Sequence, residues 1–384
     1  MRTQVAIVGA GPAGLLLSHL LSLHDIDSVV VENRSRAYVE ARIRAGVLEQ
    51  GTADLLTDAG LGDRLKTEGL RHDGIHLQWP GTRHRLDFRE LTGRSVWVYG
   101  QTEVVKDLLA ARHEHVHFEV DGTALHDLDT DRPSVSFTDS SGTPRRLTAD
   151  VVVGADGFHG VSRETIPAAL RTQWERHYPF GWLGILAEVP PSTDELIYAW
   201  HPDGFAMHSM RSPVLSRLYL QVDPAERIED WSDERIWSAL DTRLGLDGWT
   251  LDRGPIVDRG ITPMRSFVST PMRHGRLFLV GDAAHIVPPT GAKGLNLAVA
   301  DVAVLARALE AFFGSGRTDL LDGYEERALH RVWRCTHFSW WMTTMLHTTG
   351  DALDRELQLS QLRYVCSSTA AATGLAENYA GLPF

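Results

Sequence analysis

The chain has 384 residues, enough for two or three domains and a large core, and its 43% apolar and 23% charged content is that of an ordinary globular protein. A net charge of −12, with no dense block of Lys and Arg, argues against a nucleic-acid partner, and no apolar run reaches membrane-spanning length. The two cysteines, Cys335 and Cys366, have neither metal-ligand nor disulfide spacing, so no metal site is expected and a reducing, cytoplasmic location is.

The first element, residues 4–8, is β-branched and reads as a buried strand. Gly9, Gly11 and Gly14 follow and open the helical run LLLSHLLSL. A second strand, 28–31, ends at Glu32. This is the βαβ dinucleotide fingerprint in its required context. The glycines allow a tight turn, approach of a pyrophosphate, and close packing of helix on strand. The acid accepts from ribose hydroxyls. Arg42 and Arg44 come next; Arg44 could offset a pyrophosphate charge, although exposed arginines on a solvated helix read as well. Gly46, Glu49 and Gln50 are expected to open a helix through Leu56. Residues 69–79 read as one strand, and His72 within it as a core or surface histidine. A strand over 96–100 leads to a helix over 104–112, capped by Gln101 to Glu103. Residues 115–150 read as a β-meander. Three valines then run into Gly154, Asp156 and Gly157, a second place where backbone could approach a bound group.

From residue 179 the chain turns aromatic and β-branched, with strands expected over 181–189, 195–200, 204–210 and 215–222 in one antiparallel sheet. Alternation puts Met207, Ser209 and Arg211 on one face, with Arg217, Tyr219 and Gln221 beside them, and turns Trp200 and His208 away. Arg is rarely buried without an anionic partner. A small aromatic carboxylate would supply one, with Arg211 taking both oxygens and Ser209 and Tyr219 adding hydrogen bonds; a solvent-facing sheet is the competing reading. A helix over 230–244 and a strand over 255–262 follow. The strand 276–280 then enters GDAAHIVPPTGAKGLN, residues 281–296, where Asp282 ends a strand and a glycine-rich loop enters a helix over 295–309. Trp333, His337, Phe338, Trp340 and Trp341 fall at helical spacing, which means core or subunit contact.

The order of these segments, with RIRAGVLEQG at 42–51, YGQTEV at 99–104, DGFHGVSR at 156–163, YPFGWLG at 178–184 and AENYAGLP at 376–383, resembles the single-component FAD aromatic hydroxylases, the class A flavoprotein monooxygenases, over essentially the whole chain. The resemblance implies an α/β architecture: a Rossmann-like FAD-binding domain (1–178), an inserted antiparallel-sheet substrate domain (179–268), and a return to the FAD domain with C-terminal helices (269–384). It implies FAD held by Gly9, Gly11, Gly14, Glu32, Arg42, Arg44, Gln101, Asp156, Asp282, Leu295 and Asn296, with His159 and Arg265 contacting NADH or NADPH as co-substrate. Ser209, Arg211 and Tyr219 would clamp the substrate carboxylate. Tyr198 would meet its phenol, with Tyr379 as partner and His72 as the outer end of a proton path titrating near neutral pH. Pro289 would lie beside flavin and substrate, and Lys293 would add a positive field. The implied reaction adds oxygen from O2 to 4-hydroxybenzoate or a related phenolic acid such as 3,4-dihydroxybenzoate, in a homodimer. Asn33 stands where the family commonly has Arg, which opens NADH use. A flavin-loaded sensor without turnover is the alternative of another class.

Overall fold

The computed structural model describes residues 1–42, 46–112 and 115–384. Two sheets organise these residues. The first has six strands in the order Arg273–His274, Leu277–Leu279, Val151–Gly154, Val5–Val8, Ser28–Val31, Val116–His117. All neighbours are parallel except the first pair. The central strands VAIV and VVVG are buried at every residue, as a parallel sheet covered on both faces demands. Helices Pro12–Ser22 and Gly294–Ser315 share its apolar core.

The second sheet has eight strands, in the order His285–Ile286, Ile256–Thr270, Thr172–Ala187, Leu215–Val222, Ala206–Ser212, Ile197–Ala199, Gly74–Trp79, Thr82–Asp87. Its middle strands are buried on both faces and alternate between two clusters. Leu218, Leu220, Ala206 and Ile185 pack with Ile236, Trp237 and Leu240 of helix Asp233–Leu244. Tyr219, Met207, Tyr198 and Trp182 pack on the opposite face with residues of helices Tyr324–Leu346, Ala352–Ser367 and Thr369–Ala380.

Several local expectations need correction. Val47–Glu49 is a short strand rather than a helix start, because it pairs with Val96–Val98; the helix is Gln50–Asp58. Residues 69–79 form two strands in different sheets, Leu70–His72 and Gly74–Trp79. The helix expected over 104–112 begins earlier, at Gln101. Val116–His117 joins the parallel sheet, leaving Asp121–His126, Ser134–Thr138 and Pro144–Thr148 as the meander. The strand Ile256–Thr270 continues through Pro263. Trp200 does not turn away from the pocket face: it stands two residues past Tyr198, so alternation along its own strand puts both in one cluster, and its indole donates to Gln358 Oε1 at 2.7 Å. His208 does turn away, and its Nε2 accepts from the Ser192 amide.

Burial holds His72 and His208 down at about 4 and His347 at about 3. Each sits below the value near 6.5 that an unfolded histidine keeps, so the unfolded chain takes up protons the folded chain refuses. Stability is therefore complete above about pH 6.5 and drains as the pH falls toward 4, by about 1.4 kcal/mol per pH unit per ring. The expected result is a melting temperature that drops steeply over that window in a thermal series. A flat profile from pH 7 to 4.5 contradicts the neutral burial of these rings.

Candidate active site

The glycines of the first turn have the geometry of a phosphate cradle. Gly9 sits at φ +105°, and a Cβ there would overlap the backbone of Ala155 on the neighbouring strand's exit. A Cβ on Gly14 would overlap the Gly9 carbonyl, so helix and strand pack at glycine distance. In front of Gly11 there is open space, and this N-cap residue lends the helix no side-chain cap, so its first amides face outward toward an anion. Glu32 is fixed by the amides of Ala10 and Arg34, both at 2.8 Å; each oxygen keeps a lone pair for a sugar hydroxyl. Asp156 accepts from Ser162 N and Oγ through one oxygen. Its other oxygen is buried without a partner among the described residues, and burial raises its pKa. Asp282 follows Gly281 (φ +60°), whose amide donates to the buried Asp301 carboxylate; His285 Nε2 lies 2.6 Å from that carboxylate. An uncapped helix start, a fixed ribose-type acid and an orphaned carboxylate oxygen together fit FAD.

Gln101 opens the helix Gln101–Arg112, and the Arg42 carbonyl accepts from Thr102 Oγ1. Arg44 lies outside the described residues. Leu295 packs on the FAD-side core. The Asn296 amide is occupied by protein: it donates to the Val47 and Ala292 carbonyls and accepts from the Glu49 amide. Arg265 stacks on Phe158, 3.7 Å from the ring centroid, and the His159 ring meets the same Phe158 edge-on.

A pocket opens between the eight-stranded sheet, the short strands Val47–Glu49 and Val96–Val98, and the loop at Pro289 and Ala292. Tyr198, Ser209, Arg211, Tyr219 and Pro289 line it together with Met207, Trp182, Arg217 and Ala292. The pairings Met207 with Tyr219 and Ser209 with Arg217 put these side chains on one face, as alternation predicts. Arg211 donates to Thr102 Oγ1 at 2.9 Å, and burial, then the like charge of Arg217, lowers its pKa. Its guanidinium lies over Gly100, where any Cβ would overlap it. Replacing Gly100 with alanine is expected to weaken aromatic-acid binding roughly tenfold while FAD content holds, because the cost of overpacking is about 1–2 kcal/mol. Equal affinity in a ligand titration would contradict that fit.

Trp182 was not singled out from the sequence as a pocket residue. Its indole donates to His347 Nε2 at 2.7 Å and packs on Tyr219, so a buried neutral histidine fixes one pocket wall. Arg217, recognised only as a neighbour on the sheet face, donates to the Tyr219 hydroxyl at 3.3 Å.

Tyr198 and Tyr379 share a hydrogen bond of 2.7 Å between hydroxyls. Both are fully buried, which raises both pKa values and keeps the pair neutral. His72 is buried too, and neither ring nitrogen has a protein partner among the described residues. The expectation of a near-neutral titration needs correction: burial outweighs Glu195, Asp194 and Asp73, and the ring sits at about 4. Lys293 also differs from expectation. Its ammonium is paired with Glu49 at 2.7 Å and bonded to the Tyr379 carbonyl at 2.8 Å, so it is not a lone positive charge.

The chain belongs to the FAD binding domain family, whose profile matches residues 2–339, and within it to the flavoprotein aromatic hydroxylases. It is 49% identical to the p-hydroxybenzoate hydroxylase of Acinetobacter baylyi over 391 aligned positions, spanning 100% of this chain and 96% of that protein. It is 24% identical to a 3-(3-hydroxy-phenyl)propionate/3-hydroxycinnamic acid hydroxylase of Comamonas testosteroni, covering 88% of this chain and 57% of that one. In fold it matches p-nitrophenol 4-monooxygenase PnpA of Pseudomonas putida DLL-E4 with a TM-score of 0.84 at 20% identity, each chain covered completely. No helix among the described residues is long and apolar enough to cross a membrane.

Proposed function

We propose that this protein hydroxylates 4-hydroxybenzoate at C3 to give 3,4-dihydroxybenzoate, using FAD, O2 and NADH or NADPH. The observation that carries the reading is one pocket lined by the half-buried Arg211 guanidinium and by Tyr198, whose hydroxyl shares a hydrogen bond with the buried Tyr379. FAD, reduced by the pyridine nucleotide, supplies activation of O2 and transfer of one oxygen atom.

The protein's part is position and proton control. Arg211 takes the carboxylate, with Ser209 and Tyr219 adding hydrogen bonds. Trp182 and Met207 wall the ring, and Pro289 turns it toward the flavin side. The phenol meets Tyr198, which accepts its proton while donating its own to Tyr379. A neutral relay suits this step because a fixed carboxylate would repel the forming phenolate. His72 is the outer member, and its low basicity makes it a transit point rather than a store. Glu32, Asp156 and the first-turn glycines hold the dinucleotide, and His159 and Arg265 contact the pyridine nucleotide. The product assay tests the reading: purified protein with FAD, NAD(P)H and 4-hydroxybenzoate yields the catechol by chromatography. NAD(P)H oxidation without catechol contradicts it.

A homodimer is part of the proposal. Trp174 and Trp333 meet edge-to-face at 5.2 Å while both are over 40% exposed, the kind of aromatic patch that a second copy covers. Light scattering at micromolar concentration reports it. Two free cysteines support a cytoplasmic setting. Asn33 in place of a cation favours NADH, read by comparing reduction rates with the two nucleotides.

A further inference from the structure

Two parts of the pocket lining are tied to the end of one helix. Trp182 comes from strand Thr172–Ala187, and Pro289 from the loop ahead of helix Gly294–Ser315. Both reach helix Tyr324–Leu346, one through Thr343 in its last turn and the other through His347 just past its end.

The Pro289 loop is not held by its own geometry. Ala292 sits at φ +53°, a left-handed conformation that alanine keeps only where its surroundings impose it. The helix is that surrounding. A Cβ on Gly291 would overlap Ser339 Oγ, so loop and helix pack at glycine distance. Thr290, the neighbour of Pro289, shares a hydrogen bond of 3.0 Å with Thr343 between hydroxyls, and Thr343 Oγ1 back-bonds to the Ser339 carbonyl at 2.7 Å. Thr290, Ser339 and Thr343 are fully buried.

One turn on, His347 reaches the other wall. Its Nδ1 lies 3.0 Å from the Thr343 carbonyl, and its Nε2 accepts from the Trp182 indole at 2.7 Å. Only a neutral ring protonated on Nδ1 meets a carbonyl and an N–H together, and burial keeps the ring neutral. The imidazole stacks on Phe180 at 4.6 Å and on Phe205 at 4.5 Å between centroids. Around it, Gln358 Nε2 donates to the Thr344 and His347 carbonyls and Gln221 Nε2 to that of Thr348, all at 2.7 Å. Carbonyls that a helix end leaves open are thus closed by side chains, and the junction is fixed. Trp182 then packs on Tyr219 at 4.6 Å.

We propose that Thr343 and His347 are positioning residues: set one helical turn apart, they hold the Pro289 loop and the Trp182 wall at a fixed separation, so that the bound ring stays aimed and oxygen transfer stays coupled to nucleotide oxidation. This rests on the functional reading above. Loosening one tie shifts a wall by less than the 1 Å misplacement that costs about a hundredfold, so the expected loss is roughly three- to tenfold.

The test is catechol formed per nucleotide oxidised in the FAD-loaded protein. Thr343→Val and His347→Phe are each expected to lower it by that factor while FAD content holds. Thr343→Ser restores most of the first loss. His347→Gln restores most of the second, because its amide oxygen accepts from the indole. A Trp182→Phe background has no indole N–H left to accept, so there His347→Phe is expected to cost at most about twofold more. The same factor in both backgrounds, which is what a merely structural role gives, overturns the proposal, and so does parent-like yield in either single variant. If His347→Phe does not fold, the ¹⁵N signal of the parent's His347 ring, identified by its absence from His347→Gln, decides. Protonation on Nδ1 supports the proposal, and protonation on Nε2 overturns it. A parent protein that forms no catechol fails the functional reading instead.

Discussion

Replacing Arg211 with alanine is expected to weaken binding of 4-hydroxybenzoate by roughly a hundredfold or more, or about 3 kcal/mol. The guanidinium is half-buried on the pocket face of strand Ala206–Ser212, near Arg217. Burial and that like charge destabilise the cation, and an arriving carboxylate relieves both. A guanidinium stays ionised even when pushed down, so the clamp works across the ordinary pH range. Deleting it leaves the carboxylate desolvated without a matched donor pair, which Ser209 and Tyr219 cannot replace. Equilibrium titration by flavin fluorescence measures the loss. Unchanged affinity in protein that retains FAD would remove Arg211 from the site.

Replacing Tyr198 with phenylalanine should leave that affinity within a few-fold, since the carboxylate end is untouched. Product formation should fall by at least tenfold, the low side of what a positioned proton acceptor contributes. NAD(P)H should still be consumed, with hydrogen peroxide formed in place of catechol. The 2.7 Å bond to Tyr379 is the only protein hydrogen bond that Tyr198 Oη makes among the described residues, so the substitution cuts the chain at its first link. Product yield in the variant should climb as the pH approaches the phenol's own ionisation near 10, where no acceptor is needed. Parent-level yield at neutral pH would defeat the relay.

The strongly local parts of this fold were legible in the sequence. The run from residue 5 to Glu32 carries its strand, glycines, helix and acid in one unbroken piece, and the structure keeps each nearly in place. Strand Leu215–Val222 and the shared face of Met207, Ser209, Arg211 and Tyr219 follow from period-two alternation alone. Failures came where distant partners decide. Val47–Glu49 has no strand signal of its own and becomes one by pairing with Val96–Val98. Trp200 shares a face with Tyr198, two residues before it, as alternation along its own strand requires. His72 looks like an ordinary imidazole in sequence, and only burial reveals its low basicity. Lys293 looks like a free charge until Glu49, which precedes it by most of the chain, folds against it. Trp182 lies inside the YPFGWLG run, but nothing in that run marks it as a pocket wall; its role comes from His347 on another element.

The most direct measurement is a crystal structure of the FAD-loaded protein with 4-hydroxybenzoate. The account predicts the carboxylate on Arg211, the phenol oxygen within hydrogen-bond distance of Tyr198 Oη, and the ring edge facing the flavin beside Pro289. A ligand bound the other way round, or an Arg211 turned out to water with flavin absent from the Pro289 side, would contradict it.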